Sequence, residues 1–235
     1  MSVSFDFSDD VALVTGASGA LGSSVCAAFA DAGATVCATD VVEPDDEESA
    51  LDPGTVEFYG GDLTDEADAE SVVGSVVDDH GGIDALANVA GTWQGGSPTE
   101  ETDVGTFDLL FDVNLKTAFL ASKYALPSLQ EREGAIASVS ARASLEGGEG
   151  DGLYRASKAG VRLLTESIAA ENEGVVRANA VMPSVIDTPA NREMLPDADH
   201  EKWVDPRDIA DVILFLCSDA ASVTSGAAVP VYGEA

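Results

Sequence analysis

Short apolar runs alternate along the chain with longer stretches in which apolar and polar positions recur at helical spacing. VALVTG at 11–16 has the unbroken apolar character of a strand buried on both faces. LGSSVCAAFADAG at 21–33 has the spacing of a helix stopped by Gly33. TVCATD at 35–40 predicts a second strand, and TVEFYGGD at 55–62 a third after an acidic loop. Helical spacing returns at 65–82, and IDALANVAG at 83–91 reads as a strand ending in a glycine turn. A long helix is expected over 106–129, followed by a strand at 134–140, a helix at 153–174 and a strand at 175–183. A helix at 206–222 and a strand at 227–233 complete the pattern. Such alternation calls for a mostly parallel sheet covered by helices on both faces, and right-handed crossovers make it doubly wound. Neither a repeat nor a long linker interrupts it, so residues 1–235 are expected to form one Rossmann-type α/β domain.

Composition changes this picture in one respect. Hydrophobic content is an ordinary 45%, but 43 acidic residues face 11 basic ones, for a formal net charge of -32. Self-repulsion of that size strains a compact fold in dilute salt and is screened in molar salt, where the Debye length falls to roughly 3 Å. A salt-rich cytoplasm is the expected setting. The field repels phosphates, so nucleic acid is not an expected partner. No apolar run approaches the roughly 20 residues of a membrane-spanning helix. Cys26, Cys37 and Cys217 lie in apolar contexts without metal-like spacing and read as free buried thiols; no metal site is expected. The run at 43–49 reads as a solvated loop, and His80 and His200 stand isolated.

Two stretches carry candidate chemistry. TGASGALG at 15–22 joins the first strand to the first helix, where backbone N–H groups at a helix start receive a pyrophosphate. Gly16 allows the tight turn, Gly22 allows close packing of helix on strand, and Ser18, Ala20 and Leu21 complete the cradle. Asp40, followed by Val41, ends the second strand, where a carboxylate accepts hydrogen bonds from ribose hydroxyls and repels a 2′-phosphate. No lysine or arginine precedes Lys116, so the first half of the chain lacks the cation a 2′-phosphate requires; NAD(H) is the expected cofactor. Asp62, followed by Leu63, suits the adenine edge. At the other end, Tyr154 and Lys158 lie one helical turn apart on one face. A neighbouring ammonium lowers the tyrosine pKa from near 10 and fits Tyr154 for general acid and base work.

TGASGALG, Asp40, GDLTD at 61–65, NVAG at 88–91, VNLKT at 113–117, YRASK at 154–158 and MPSVIDTP at 182–189 together resemble the short-chain dehydrogenase/reductase family over nearly the whole chain. The resemblance implies that Lys158 also holds the nicotinamide ribose and that Asn114 supports a water-linked proton relay. Asn88, Ala90 and Gly91 would form the turn on the cofactor side, Thr188 would meet the carboxamide, and Pro183 and Ile186 would line the same edge. Two positions depart from the family pattern: Ala20 replaces a glycine, and Ala141 stands where the family has a serine thirteen residues before the tyrosine. Ser138 and Ser140 are expected on the opposite strand face, while Ser144 could curl back towards Tyr154.

Within the family, SARASLEGGEGDGLYRASKAG, AGTWQGG and the loop following MPSVIDTP are similar to dihydropteridine reductases, which also have alanine at that position and use NADH. Trp93, Ala141, Arg142, Ser144, Asn191 and Met194 are the candidate substrate residues, with 184–205 as a substrate loop. The expected activity is hydride transfer between nicotinamide and a small molecule, with dihydropteridine reduction as one form. A simple alcohol or ketone (3-oxoacyl-type) dehydrogenase is the alternative, and a non-catalytic NAD-binding sensor a further one. The resemblance also implies a homodimer or homotetramer.

Overall fold

The computed structural model describes residues 5–234. β1 (Val11–Thr15) is buried at every position, as its apolar run requires. It is an inner strand of a sheet with β2 (Thr35–Thr39), β3 (Glu57–Phe58), β4 (Ala85–Asn88), β5 (Ala135–Val139), β6 (Arg177–Pro183) and β7 (Ala228–Val231). Among the described residues these strands form one seven-stranded sheet in the order β3-β2-β1-β4-β5-β6-β7, with every neighbouring pair parallel.

Helices cover both faces. On one side, α1 (Ala20–Asp31) and α7 (Pro206–Cys217) pack Val25, Phe29, Ile209, Ile213 and Leu216 against Val14 and Val36. On the other, α2 (Glu66–His80), α4 (Thr117–Arg132) and α5 (Gly152–Glu171) bury Val73, Val76, Leu120, Leu129 and Ile168 against Leu13, Leu86 and Ile136. Sequence and structure agree because each helix presents one apolar face at helical spacing to a strand that is apolar on both sides. Cys26, Cys37 and Cys217 are free and buried, and burial pushes each thiol up to about 12. Among the described residues no helix is long and apolar enough to cross a membrane, and no cluster of His, Cys, Asp and Glu could hold a metal ion.

The expected elements need three corrections. The third strand shrinks from 55–62 to Glu57–Phe58: it lies at the sheet edge, and only scattered bonds such as Tyr59 N–H to the Ala38 carbonyl (2.8 Å) continue the pairing. The expected helix at 106–129 begins earlier and is interrupted. α3 (Val104–Phe111) starts at Asp103, whose carboxylate accepts from Gly105 N–H (2.7 Å), and a π-helical turn at Asp112–Lys116 separates it from α4. A short α6 (Pro189–Met194), capped by Thr188, occupies part of the expected loop at 184–205.

Candidate active site

The sheet order reverses between β1 and β4, and the crevice there opens at the C-terminal ends of the strands, where open α/β sheets bind ligands. Thr15 ties the two strand ends together, its hydroxyl oxygen accepting from Val89 N–H and Ala90 N–H at 3.1 Å each. Gly16 follows at φ +67°, and a side chain there would sit 2.6 Å from Ala90 Cα. A Cβ on Gly22 would overlap the Gly16 carbonyl oxygen, so both glycines hold the turn close to its neighbours. α1 then starts behind Gly19 with no side chain capping its first turn, which leaves backbone N–H groups facing the crevice edge. Ala20 opens that turn and Leu21 is buried beneath it.

Asp40 closes the far side of this cradle. Its carboxylate accepts from Ser18 N–H (3.0 Å), Val41 N–H (2.7 Å) and Val42 N–H (3.1 Å), while the Ser18 hydroxyl donates to the Val42 carbonyl (2.6 Å). The loop after β2 is thereby fastened to the glycine turn. Val41 projects into solvent at 67% exposure, whereas Leu63 is buried. Asp62 accepts from the Thr64 N–H (2.9 Å) and hydroxyl (2.7 Å) in the turn leading to α2.

The second half of the site comes from β4, the π-helical turn and α5. Asn114 is buried, and its side chain joins three segments: Thr92 N–H donates to Oδ1 (2.7 Å), while Nδ2 donates to the Thr92 carbonyl and to the Ser157 hydroxyl (3.0 Å each). The extra residue of the π-helical turn is accommodated by Thr117, whose N–H bonds the Asp112 carbonyl and whose hydroxyl bonds the Val113 carbonyl (2.7 Å). Lys158 reaches the same place from α5, donating to the Val139 carbonyl (3.0 Å). A Cβ on Gly91 would lie 2.7 Å from Lys158 Nζ and 3.0 Å from Asn114 Oδ1, so the glycine turn, the amide and the ammonium converge on one small volume. Tyr154 lies one turn before Lys158 on α5 and is partly buried.

Burial dominates the electrostatics. It draws the Lys158 ammonium down to about 8. Tyr154 is pushed up to about 12, chiefly by burial and then by the Asp151 charge, against a smaller lowering by Arg155. This reverses the expectation that Lys158 lowers the tyrosine: the cost of removing a phenolate from water outweighs any relief from the ammonium. A neutral Tyr154 at pH 7 is a proton donor, the form needed to reduce a carbonyl.

The serines around Ala141 have partners elsewhere. Ser140 donates to the Lys158 carbonyl (2.8 Å), Ser138 accepts from Asn88 Nδ2 (3.3 Å), and Ser144 donates to Met182 Sδ (3.8 Å). Arg142 lies over the Tyr232 ring at 5.0 Å. Trp93 is 43% exposed in the turn after β4, and Met194 is exposed on α6. Asn191 donates from its N–H to the Thr188 hydroxyl (3.2 Å) and from Nδ2 to the Ile186 carbonyl (2.8 Å), so it braces the start of α6. Pro183 ends β6, buried, and Ile186 bridges to Val204. The histidines are not isolated: His80 Nε2 lies 3.0 Å from the Tyr59 hydroxyl and His200 Nε2 2.8 Å from the Leu195 carbonyl. Thr15, Thr92, Thr117 and Ser157 escaped the sequence reading, although the placement of Ser157 between Tyr154 and Lys158 was a usable signal.

Comparison with known proteins bears on the family and the fold. A family profile described as enoyl-(acyl carrier protein) reductase matches residues 16–233. The chain is 34% identical over 238 residues to the 3-oxoacyl-(acyl-carrier-protein) reductase of Thermotoga maritima, covering 95% of this chain and 96% of the relative. It is 30% identical over 242 residues to the cyclopentanol dehydrogenase of Comamonas testosteroni, covering 96% of each. Among solved structures, a glucose/ribitol dehydrogenase from Brucella melitensis superposes with a TM-score of 0.89 at 30% identity, covering 98% of both chains. The chain therefore belongs to the short-chain dehydrogenase/reductase family, oxidoreductases that use a nicotinamide cofactor.

Proposed function

We propose that the protein is a single-domain NAD(H)-dependent oxidoreductase in which Tyr154 exchanges a proton with a small substrate while Lys158 and Asn114 shape its surroundings. The observation that carries this reading is the convergence of Lys158 Nζ and Asn114 Oδ1 on Gly91, one helical turn from Tyr154.

The residues fit a nicotinamide dinucleotide. The uncapped first turn of α1 suits its pyrophosphate, the bare Gly91 leaves room beside Lys158, and Asp40 stands at the ribose end. A bound cofactor supplies or takes up a hydride. Three N–H groups occupy Asp40, and a carboxylate offers about four acceptor sites, so capacity remains for a ribose hydroxyl. The Asp40 charge, with no cation before Lys116, disfavours a 2′-phosphate. Gly16, Ser18, Ala20, Leu21, Gly22, Val41, Asp62 and Leu63 are proposed to line the adenosine side. Asn88, Ala90, Gly91, Pro183, Ile186 and Thr188 are proposed to line the nicotinamide side.

Ala141 shapes the substrate reading. Losing one donor to a developing oxyanion costs roughly 2.7–4 kcal/mol, which a ketone feels in full. A planar substrate that accepts electrons readily, such as a quinone-like dihydropterin, needs mainly the Tyr154 proton, and Trp93 offers it a ring to stack on. The relatives named above, a 3-oxoacyl reductase and a cyclopentanol dehydrogenase, favour a second reading, a ketone or secondary alcohol as substrate. Exposed Phe107, Phe119 and Leu163 on α3, α4 and α5 support pairing into a homodimer or homotetramer, and the charge of -32 supports a salt-rich cytoplasm.

The test compares NADH with NADPH in molar KCl, using quinone-like dihydropterin and simple ketones. NADH is expected to be preferred, and Tyr154→Phe to lose about a hundredfold or more in turnover with NADH affinity unchanged. Equal use of NADPH would overturn the role of Asp40, and full activity in Tyr154→Phe would overturn that of Tyr154. Ketone turnover that rises in Ala141→Ser, with no dihydropterin turnover, would select the second reading.

A further inference from the structure

The loop at 146–151, Glu-Gly-Gly-Glu-Gly-Asp, runs from a 3-10 turn at Arg142–Leu145 to the start of α5, just before Tyr154. Three glycines in six residues make such a loop costly to order. One side chain grips both of its ends. Arg155 Nε donates to Asp151 Oδ1 (2.6 Å), and Arg155 Nη1 donates to the Glu146 carbonyl (3.1 Å). The guanidinium lies in the space a side chain on Gly148 would fill. The loop in turn meets the turn carrying Trp93: Gly96 N–H donates to the Gly150 carbonyl (2.8 Å), and a Cβ on Gly95 would sit 3.0 Å from Trp93 Cζ2 and 3.3 Å from Asp151 Cβ.

We propose that Arg155 is a positioning residue that staples the 146–151 loop against the Trp93 turn and so builds one wall of the substrate site. This rests on the reading that Tyr154 is the proton donor and that substrate lies between it and Trp93. The hydrogen bonds of Arg155 go to the loop and not to the Gly16–Gly22 cradle; its charge has only a small direct effect on Tyr154, so it acts mainly through the loop. Its effect therefore falls on substrate affinity and spares the cofactor.

The test uses the full chain in molar KCl. Arg155→Ala is expected to raise KM for the carbonyl or dihydropterin substrate about tenfold with a smaller change in kcat, the pattern of lost uniform binding. NADH affinity, titrated separately, should stay as in the wild type. In a Trp203→Phe background, acrylamide quenching of Trp93 should rise in Arg155→Ala. Arg155→Lys, with a cation but no fork, should fall between. Gly148→Ala, whose methyl displaces the guanidinium, should reproduce Arg155→Ala, and the double variant should be no worse than either alone. Unchanged KM and unchanged Trp93 quenching would overturn the proposal, as would a parallel loss of NADH affinity. If Arg155→Ala fails to fold, Gly148→Ala decides by the same readouts. If no substrate turns over, the Tyr154 reading fails, while the quenching comparison still decides whether Arg155 holds the loop.

Discussion

Lys158 is only 4% exposed, and its charge is the most expensive in the site. A drop from 10.5 to about 8 corresponds to about 3 kcal/mol against the folded state. Below pH 8 both folded and unfolded chains hold the proton, so the fold bears the whole cost. Between pH 8 and 10.5 the folded chain sheds it first, and this group's cost shrinks as pH rises. Lys158→Met is therefore expected to raise the Tm at pH 7 by a few degrees, about 2–6 °C after the loss of the Val139 bond, while abolishing turnover. Calorimetry checks this; a lower Tm would mean the ammonium is stabilising. Tyr154, held near 12, stays protonated across the neutral range, the form its proposed donor role requires. With Tyr154 as the base, substrate oxidation needs the phenolate and should rise about tenfold per pH unit up to about pH 8, while Lys158 keeps its proton, and reduction should stay level over that range. A pH–rate profile in both directions tests this, and reduction that climbs with pH would remove Tyr154 as the donor. At this scale the sequence showed which groups meet but not the sign of the tyrosine shift, because burial is a property of the whole fold.

The long helix before β5 shows what an element's sequence conceals. Its apolar spacing reads as continuous, yet the π-helical turn at Asp112–Lys116 adds one residue and turns Asn114 inward. Every residue there tolerates a helix, so no local signal marks the break; the reward comes from Thr92 and Ser157, distant in sequence. The true start was legible in Asp103, a cap residue the periodic pattern overlooked. Thr117→Val keeps the shape but leaves the Val113 carbonyl without its hydroxyl partner. It should cost about 1–2 kcal/mol in urea unfolding and also lower turnover by shifting Asn114. Unchanged stability would show that the turn holds without the hydroxyl. β3 illustrates the opposite error, since alternation in TVEFYGGD promised a strand that the sheet edge leaves mostly unpaired.

Over the whole molecule, the parallel sheet and the helices on both of its faces were readable because each element's apolar pattern matches its final neighbours, whereas the strand order came only with the structure. The net charge of -32 was equally plain, and its consequence is physical: repulsion among carboxylates is relieved as salt shortens its reach. Raising KCl from roughly 0.1 to about 2 M should raise Tm on the order of 10 °C, and an uncharged osmolyte should not reproduce a salt-specific gain. A flat salt response would remove the salt-rich setting. The side chain of Asn114 carries a different implication. It is bonded at once to a turn 22 residues earlier and a helix 43 residues later, and Lys158 meets them only when that helix has docked. A chain emerging from synthesis can close its glycine turn long before it owns an ammonium beside it. On the proposed roles, the half of the site that would move a proton is complete only once the helix carrying Tyr154 and Lys158 has docked, whereas the glycine turn needs nothing beyond β4.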